Sequence, residues 1–125
     1  MDNEDPVRRQ VDQFISEQVE SVPHLEALLL VWKRRPKSWT AAEMARALYI
    51  PPEQAVAILR DLQARRLVEA ETDGYVWRAD NARDGLFANV ERIYRRELIR
   101  ISNMIHSKAS AAVREFARAF KLKKD

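Results

Sequence analysis

The chain has 125 residues, 46% of them hydrophobic, and this length allows one domain with a hydrophobic core but not two independent domains. Because the sequence contains no cysteine, disulfides, thiolate metal sites and thiol nucleophiles are excluded. The formal net charge of +3 mildly favours a polyanionic partner, and it is unevenly placed: residues 1–20 and 67–81 are net acidic, whereas 108–125 hold the densest excess of Lys and Arg.

Two helices are predicted in the first third of the chain. Asp5 is suited to cap a helix that begins at Pro6 and runs to about Glu20 with one apolar face. A second helix runs from about Pro23 to Arg34 and is apolar around most of its circumference, which is typical of a helix buried on several sides. Both helices therefore need partners that cover their apolar surfaces.

The central segment has the pattern of a helix-turn-helix. After a short strand at residues 38–39, Thr40 and Glu43 predict a capping box at the start of a helix that ends near Tyr49. Pro52 then lies in the first turn of the next helix, where proline is well tolerated. The buried stripe of that helix is predicted to consist of Ala55, Val56, Leu59 and Leu62.

A hairpin and two further helices complete the prediction. The runs "LVEAE" and "YVWRA" flank the turn sequence "TDG", which indicates two antiparallel strands. A long helix is predicted over 82–106 and a short basic helix with a tail over 110–125. The apolar face of the long helix is wider than one packing partner requires, so we expect it to form a homodimer, with help from the 5–20 helix. The expected dimerisation residues are Phe87, Val90, Tyr94, Leu98, Ile101 and Ile105.

Residues 40–68, "TAAEMARALYIPPEQAVAILRDLQARRLV", resemble the winged helix-turn-helix of MarR-like bacterial transcriptional regulators. The residues in matching places are Thr40, Glu43, Ala45, Leu48, Ile50, Val56, Leu59, Leu62, Leu67 and Val68. The resemblance implies a mainly α-helical domain with a small β-hairpin wing. Its winged helix-turn-helix core would span 23–79, flanked by N- and C-terminal helices. It also implies a DNA-binding transcription regulator that acts as a homodimer.

The resemblance further implies that the second helix of the motif enters the major groove of double-stranded DNA. The DNA-binding residues would then be Thr40, Pro52, Glu53, Gln54, Ala57, Arg60 and Arg78. Gln54 is suited to pair with adenine, and Thr40 with the amides at its helix start would bind phosphate. This helix has no cation before Arg60, however, and Glu69 and Glu71 flank the wing tip. A surface with few cations gains little from counterion release, so we expect weak binding through this face.

Three basic groups elsewhere are candidates for additional DNA contacts. They are the cluster "KRRPK" at 33–37, the arginines at positions 92, 95, 96 and 100, and the tail. The 33–37 loop is expected to lie away from the recognition helix, and we interpret the arginines as the solvated face of a dimerising helix. For the tail, a phosphate-binding arm, a contact with an acidic partner and a frayed terminus all stay open.

A second function stays open, because winged helices also serve protein association. In that case the acidic wing with Ala57 and Ile58 would dock a protein partner, steered by the basic tail. An enzyme is not expected, since no nucleophile elbow, phosphate-binding loop or dinucleotide fingerprint occurs. Neither a metal nor another cofactor is expected, because His24 and His106 are far apart and lack ligand spacing.

Two further expectations concern the aromatic residues and the location of the protein. Trp32, Trp39, Tyr75 and Trp77 are interpreted as core residues rather than as the lining of a small-molecule pocket. The N-terminus is acidic where a signal peptide would be basic and then apolar, and no apolar run approaches the roughly 20 residues that span a bilayer. We therefore expect a soluble cytoplasmic protein without a membrane partner.

Overall fold

The computed structural model describes residues 5–78 and 83–124, with side chains described up to residue 119. Within these ranges the chain forms six helices and two strands. In chain order they are α1 (Pro6–Gln18), α2 (Val22–Lys33), α3 (Ala41–Leu48), α4 (Pro52–Ala64), β1 (Val68–Glu71), β2 (Gly74–Trp77), α5 (Asp84–Arg96) and α6 (Leu98–Lys124). No helix among the described residues has the length and hydropathy needed to cross a membrane.

Local sequence signals start the first three helices. The Asp5 carboxylate caps α1 and Ser21 caps α2, and each is followed by a proline in the first turn. At α3 the Thr40 hydroxyl accepts from the Glu43 amide, and the Glu43 carboxylate accepts from the Thr40 amide, both at 3.0 Å. The predicted capping box is therefore confirmed, and so is the predicted start of α1.

Helix α2 is the central element of the core. Its side chains are buried on several sides, as its composition predicts, and it packs against α3, α4, α5 and β2. The fully buried residues of α2 are Leu25, Ala27, Leu28, Leu29 and Val31. Helix α1 lies against α5 and α6 and completes the opposite side of the core. The helix-turn-helix formed by α3 and α4 is thus held on a rigid support.

The hairpin gains a third, very short strand from the segment before α3. Backbone hydrogen bonds of 2.7 and 2.8 Å join Trp39 to Tyr75 on the edge of β2. Gly74 is the first residue of β2 and not part of the turn, in contrast to the predicted Asp-Gly turn. A Cβ atom at Gly74 would lie only 2.5 Å from the backbone oxygen of Trp39. Glycine is therefore needed here for the close approach of two backbones.

The break between the last two helices lies elsewhere than predicted. The helix expected over 82–106 ends at Arg96, where Glu97 has φ −124° and ψ 48°. The Glu97 carboxylate accepts hydrogen bonds from Arg8 on α1 and Arg100 on α6, and these contacts hold the chain at the break. The predicted start at residue 82 lies outside the described residues.

Helix α6 continues without interruption through Ser107 and Ser110, between the predicted end of one helix at 106 and the predicted start of the next at 110. Serine costs a helix interior only about half a kilocalorie per mole relative to alanine. The surrounding residues are good helix formers, so the cost is easily offset. The structure therefore has two helices here, as predicted, but the break lies at Glu97, and the second helix has 27 residues.

The buried face of α4 is rotated relative to the predicted stripe. Ala55, Ile58, Leu59 and Leu62 are buried, whereas Val56 is only half-buried. These buried positions follow the spacing i, i+3, i+4 and i+7 of one helix face. The prediction that Ile58 is exposed is therefore wrong, which removes Ile58 from any surface on which a partner could dock.

Candidate nucleic-acid interface

The outer face of α4 is the first candidate surface. The residues predicted to contact DNA on this helix are all exposed: Pro52, Glu53, Gln54, Ala57 and Arg60. Glu53, Ala57 and Arg60 lie along one line of the helix, because they are spaced four and three residues apart. Gln54 and Arg60 supply the side-chain hydrogen-bond donors of this face. It lies opposite the buried face that anchors α4 in the core.

The N-terminus of α3 is already occupied by a carboxylate. Thr40 is half-buried, and its hydroxyl is engaged in the capping box. The hydrogen bond from the Thr40 amide lowers the pKa of the Glu43 carboxyl, and Lys37 at 3.5 Å contributes to the same effect. Glu43 is thus negatively charged near neutral pH at the site where a phosphate would bind. The expectation that Thr40 and these amides bind phosphate is therefore not supported.

The wing is acidic and partly neutralised within the chain. Arg78 forms an ion pair with Glu69 at 3.7 Å, so the cation expected on DNA already has an acidic partner. Glu71 and Asp73 are exposed and make no ion pair with other described residues. The wing tip therefore repels a phosphate backbone.

Three exposed arginines surround the helix-turn-helix: Arg46 in the last turn of α3, Arg60 on α4 and Arg66 directly after α4. No ion pair to any of the three occurs among the described residues. Arg46 and Arg66 are not among the predicted DNA-binding residues, which apart from Thr40 lie on α4 and at the wing. The exposed positions of α3, found from the helical period, would have indicated Arg46.

The basic runs at 33–37 and 92–100 are largely engaged in ion pairs within the chain. The pairs are Lys33 with Glu91, Arg35 with Asp84, Lys37 with Glu43, Arg95 with Glu26 and Glu91, and Arg100 with Asp12 and Glu97. Most of these partners lie on other helices, so the pairs connect neighbouring elements. The charge of the paired residues is correspondingly less available to DNA. Arg95 and Arg100 connect helices of the same chain, which differs from the solvated face of a dimerising helix that was predicted.

A polar cluster fixes the far end of α4 against α1. The Arg65 guanidinium binds Asp61 on α4, the Glu20 carboxylate and the backbone oxygen of Glu17. His24 on α2 lies 3.5 Å from the same Asp61 carboxylate, and burial lowers the pKa of its imidazole. The cluster thus connects the C-terminal end of α4 to α2 and to the end of α1.

The predicted dimerisation seam lies in the core of the single chain. Five of its six residues are at most 1% exposed: Phe87, Val90, Tyr94, Ile101 and Ile105. Helix α1 covers this seam, as shown by the edge-to-face contact of Phe14 with Phe87 at 5.3 Å between ring centroids. These five side chains cannot themselves reach a second subunit, because their own chain already surrounds them. Leu98 remains 45% exposed, its neighbour Ile99 is exposed, and Val113 is exposed about four turns further along α6.

The aromatic residues belong to the core, as interpreted from the sequence. Trp39 and Trp77 are buried, and Trp32 and Tyr75 pack against the core from its edge. The ring of Trp77 contacts that of Phe87 edge-to-face, with centroids 4.7 Å apart. The contact between Trp77 on β2 and Phe87 on α5 anchors the wing to α5.

Comparison with known proteins adds one piece of information, the fold. No family model and no curated protein matches the sequence. MepR of Staphylococcus aureus, a transcription regulator of the multidrug efflux pump MepA, has a similar structure with a TM-score of 0.52. The match covers 91% of this chain and 90% of that chain, at 11% sequence identity. The chain has a winged helix-turn-helix fold.

A second similar structure is the MarR family protein Rv2887 of Mycobacterium tuberculosis. Its TM-score is 0.48 at 16% identity, over 95% of this chain and 86% of that chain. The similarity to MepR confirms the fold class predicted from the sequence. In this winged helix-turn-helix, α3 and α4 form the helix-turn-helix and β1 with β2 forms the wing.

Proposed function

We propose that this chain is a transcription regulator that binds double-stranded DNA through the outer face of α4. The observation that carries this proposal is the position of Gln54, Ala57 and Arg60, which are exposed on the recognition helix of a winged helix-turn-helix. Such helices enter the major groove with their N-terminal residues at the base edges. The amide of Gln54 is suited to pair bidentately with adenine. We propose accordingly that the protein acts in the bacterial cytoplasm, where it would reach a chromosomal target.

The charges around α4 set the strength of this binding. Arg46, Arg60 and Arg66 are available to phosphate, whereas Glu53 and the acidic wing oppose it. Each neutralised phosphate contributes about 0.9 to the salt dependence of affinity, so two subunits with three arginines each give a slope of about 5. We therefore propose moderate, strongly salt-dependent binding, in which Gln54 and its neighbours supply the sequence preference.

We further propose that the protein acts as a homodimer in which a second copy covers the outer face of α6. Residues 109–119 of α6 are exposed in the single chain, and Ile99 and Val113 are 72% and 67% exposed. The whole of α6, with 27 residues, spans roughly 40 Å. Because a solvated helical segment of about eleven residues is only marginally stable alone, packing against a partner would stabilise it. The proposed interface is therefore the outer face of α6 and not the predicted seam. Of the six predicted dimerisation residues, only Leu98 belongs to it.

The first experiment measures fluorescence anisotropy of a random-sequence DNA duplex titrated with the full chain. The proposal predicts binding at low ionic strength that weakens steeply at physiological salt. Light scattering on the same samples should give the mass of two chains at tens of micromolar. Absence of salt-sensitive binding even at low ionic strength would contradict the proposed DNA function, and a monomer would contradict the dimer.

Protein association is the second candidate function, and the acidic wing favours it. Glu71 and Asp73 are exposed at the wing tip, where they would bind a basic protein surface more readily than a phosphate. Ala57 is exposed on α4 and remains available to a partner, whereas Ile58 is buried. Failure of the duplex titration would leave this alternative as the better-supported function.

A further inference from the structure

Tyr49 lies in the turn between α3 and α4, where its side chain is 95% exposed. Its backbone has φ 57° and ψ 48°, a left-handed conformation that ends α3, and its amide donates to the oxygen of Ala45. The phenolic hydroxyl makes no hydrogen bond with the described residues. The backbone of this residue is thus part of the fold, whereas its side chain is directed entirely into solvent.

The fold has no use for a tyrosine side chain at this position. Glycine and asparagine adopt the left-handed conformation at a helix C-terminus more readily than bulky residues do. A ring that remains exposed contributes no burial of apolar surface to stability. A smaller residue would therefore serve the fold at least as well, so the reason for the side chain has to be sought outside the chain.

The surroundings of Tyr49 identify the chemistry of its partner. Arg46 lies one helical turn earlier on α3, exposed and without an ion pair among the described residues. Pro51, which caps α4, follows Tyr49 by two residues, so Tyr49 lies just before the N-terminal end of α4, the end that would approach DNA. A neutral donor beside a cation is a common combination for contacts to phosphate oxygens.

We infer that Tyr49 and Arg46 form a backbone-contact pair that binds the phosphodiester strand beside the major groove. The phenolic O–H donates to a phosphate oxygen, and the Arg46 guanidinium pairs with phosphate on the same strand. Such contacts fix the register of α4 on the duplex without reading its sequence. This inference rests on the proposed DNA-binding function and identifies residues of that interface beyond the recognition helix.

The test uses the full chain and the random-sequence duplex, with anisotropy titrations at several salt concentrations. Tyr49→Phe removes only the hydroxyl and should weaken binding about tenfold, with the salt slope unchanged because no charge is lost. Arg46→Gln should weaken binding and lower the salt slope by about 1.8, since each of the two subunits loses one phosphate contact. Ala88→Ser, an exposed substitution on α5 away from both α4 and the outer face of α6, is the control and should bind like the wild type.

A urea titration of Tyr49→Asn distinguishes a DNA contact made by the Tyr49 side chain from a role of this side chain in folding stability. This variant should unfold at the same or a higher urea concentration than the wild type, yet lose more affinity than Tyr49→Phe. Wild-type affinity in both Tyr49 variants would overturn the inference and leave the proposed function intact. A lower unfolding midpoint in Tyr49→Asn would show a structural role and overturn it as well. If the wild type does not bind the duplex, the proposed function and the pair fail together.

Discussion

Replacing Ile58 by alanine should destabilise the protein much more than the same change at Val56. Ile58 is 1% exposed in the core beneath α4, and the substitution removes all of its side chain beyond Cβ. Truncation of a fully buried isoleucine costs about 3 kcal/mol, because both the transfer energy and the resulting cavity contribute. Val56 is half-buried and loses less apolar surface, so we expect a cost of about 1 kcal/mol.

The assay is urea unfolding followed by circular dichroism at one fixed protein concentration, because dimerisation would make the midpoint depend on concentration. The two variants are matched, since each converts a β-branched residue of the same helix to alanine and gains the same small helix propensity. A larger loss for Val56→Ala, or equal losses, would refute the orientation of α4 described here. That result would indicate that Ile58 is exposed, and it would strengthen the protein-association alternative.

Three further outcomes are expected. Gly74→Ala should lower the midpoint of thermal unfolding clearly, because its Cβ would lie 2.5 Å from the backbone oxygen of Trp39, and unchanged stability would contradict this contact. Stability should fall as the pH drops below the ordinary imidazole pKa of 6.5, since burial lowers the pKa of His24 in the folded chain and protonation therefore favours unfolding. His24→Gln should flatten this part of the curve, and an unchanged curve would assign it to other groups. Asp73→Lys should tighten duplex binding and raise the salt slope by up to about 1.8 if the wings of both subunits approach phosphate, whereas no change would remove the wing from the interface.

The elements that could be predicted from the sequence are those fixed by neighbouring residues. The start of α1 depends on Asp5 and its following proline, and the start of α3 depends on the Thr40 and Glu43 pair. Such signals act over three or four residues, so they are visible in the chain itself. The hairpin is similar, although the reason for Gly74 lies in a segment far away in sequence.

The elements that could not be predicted depend on distant parts of the chain. The helix break at Glu97 involves Arg8, which is 89 residues away. An apolar face also does not reveal which element covers it, so the seam containing Phe87 fits a dimer interface and an intrachain contact with α1 equally well. Likewise, the Thr40 hydroxyl is suited to a helix cap and to a phosphate, and the structure shows the cap.

The central claim, that the outer face of α4 binds DNA, is tested most directly by two matched charge reversals. Arg60→Glu changes an exposed residue on α4, and Arg92→Glu changes an exposed residue on α5, and neither arginine forms an ion pair with a described residue. Anisotropy titrations with the duplex at low salt should show near-complete loss of binding for Arg60→Glu and nearly wild-type affinity for Arg92→Glu. Equal losses would show that DNA is bound by general positive charge, and a loss confined to Arg92→Glu would show that it is bound by α5; either result would contradict recognition by α4.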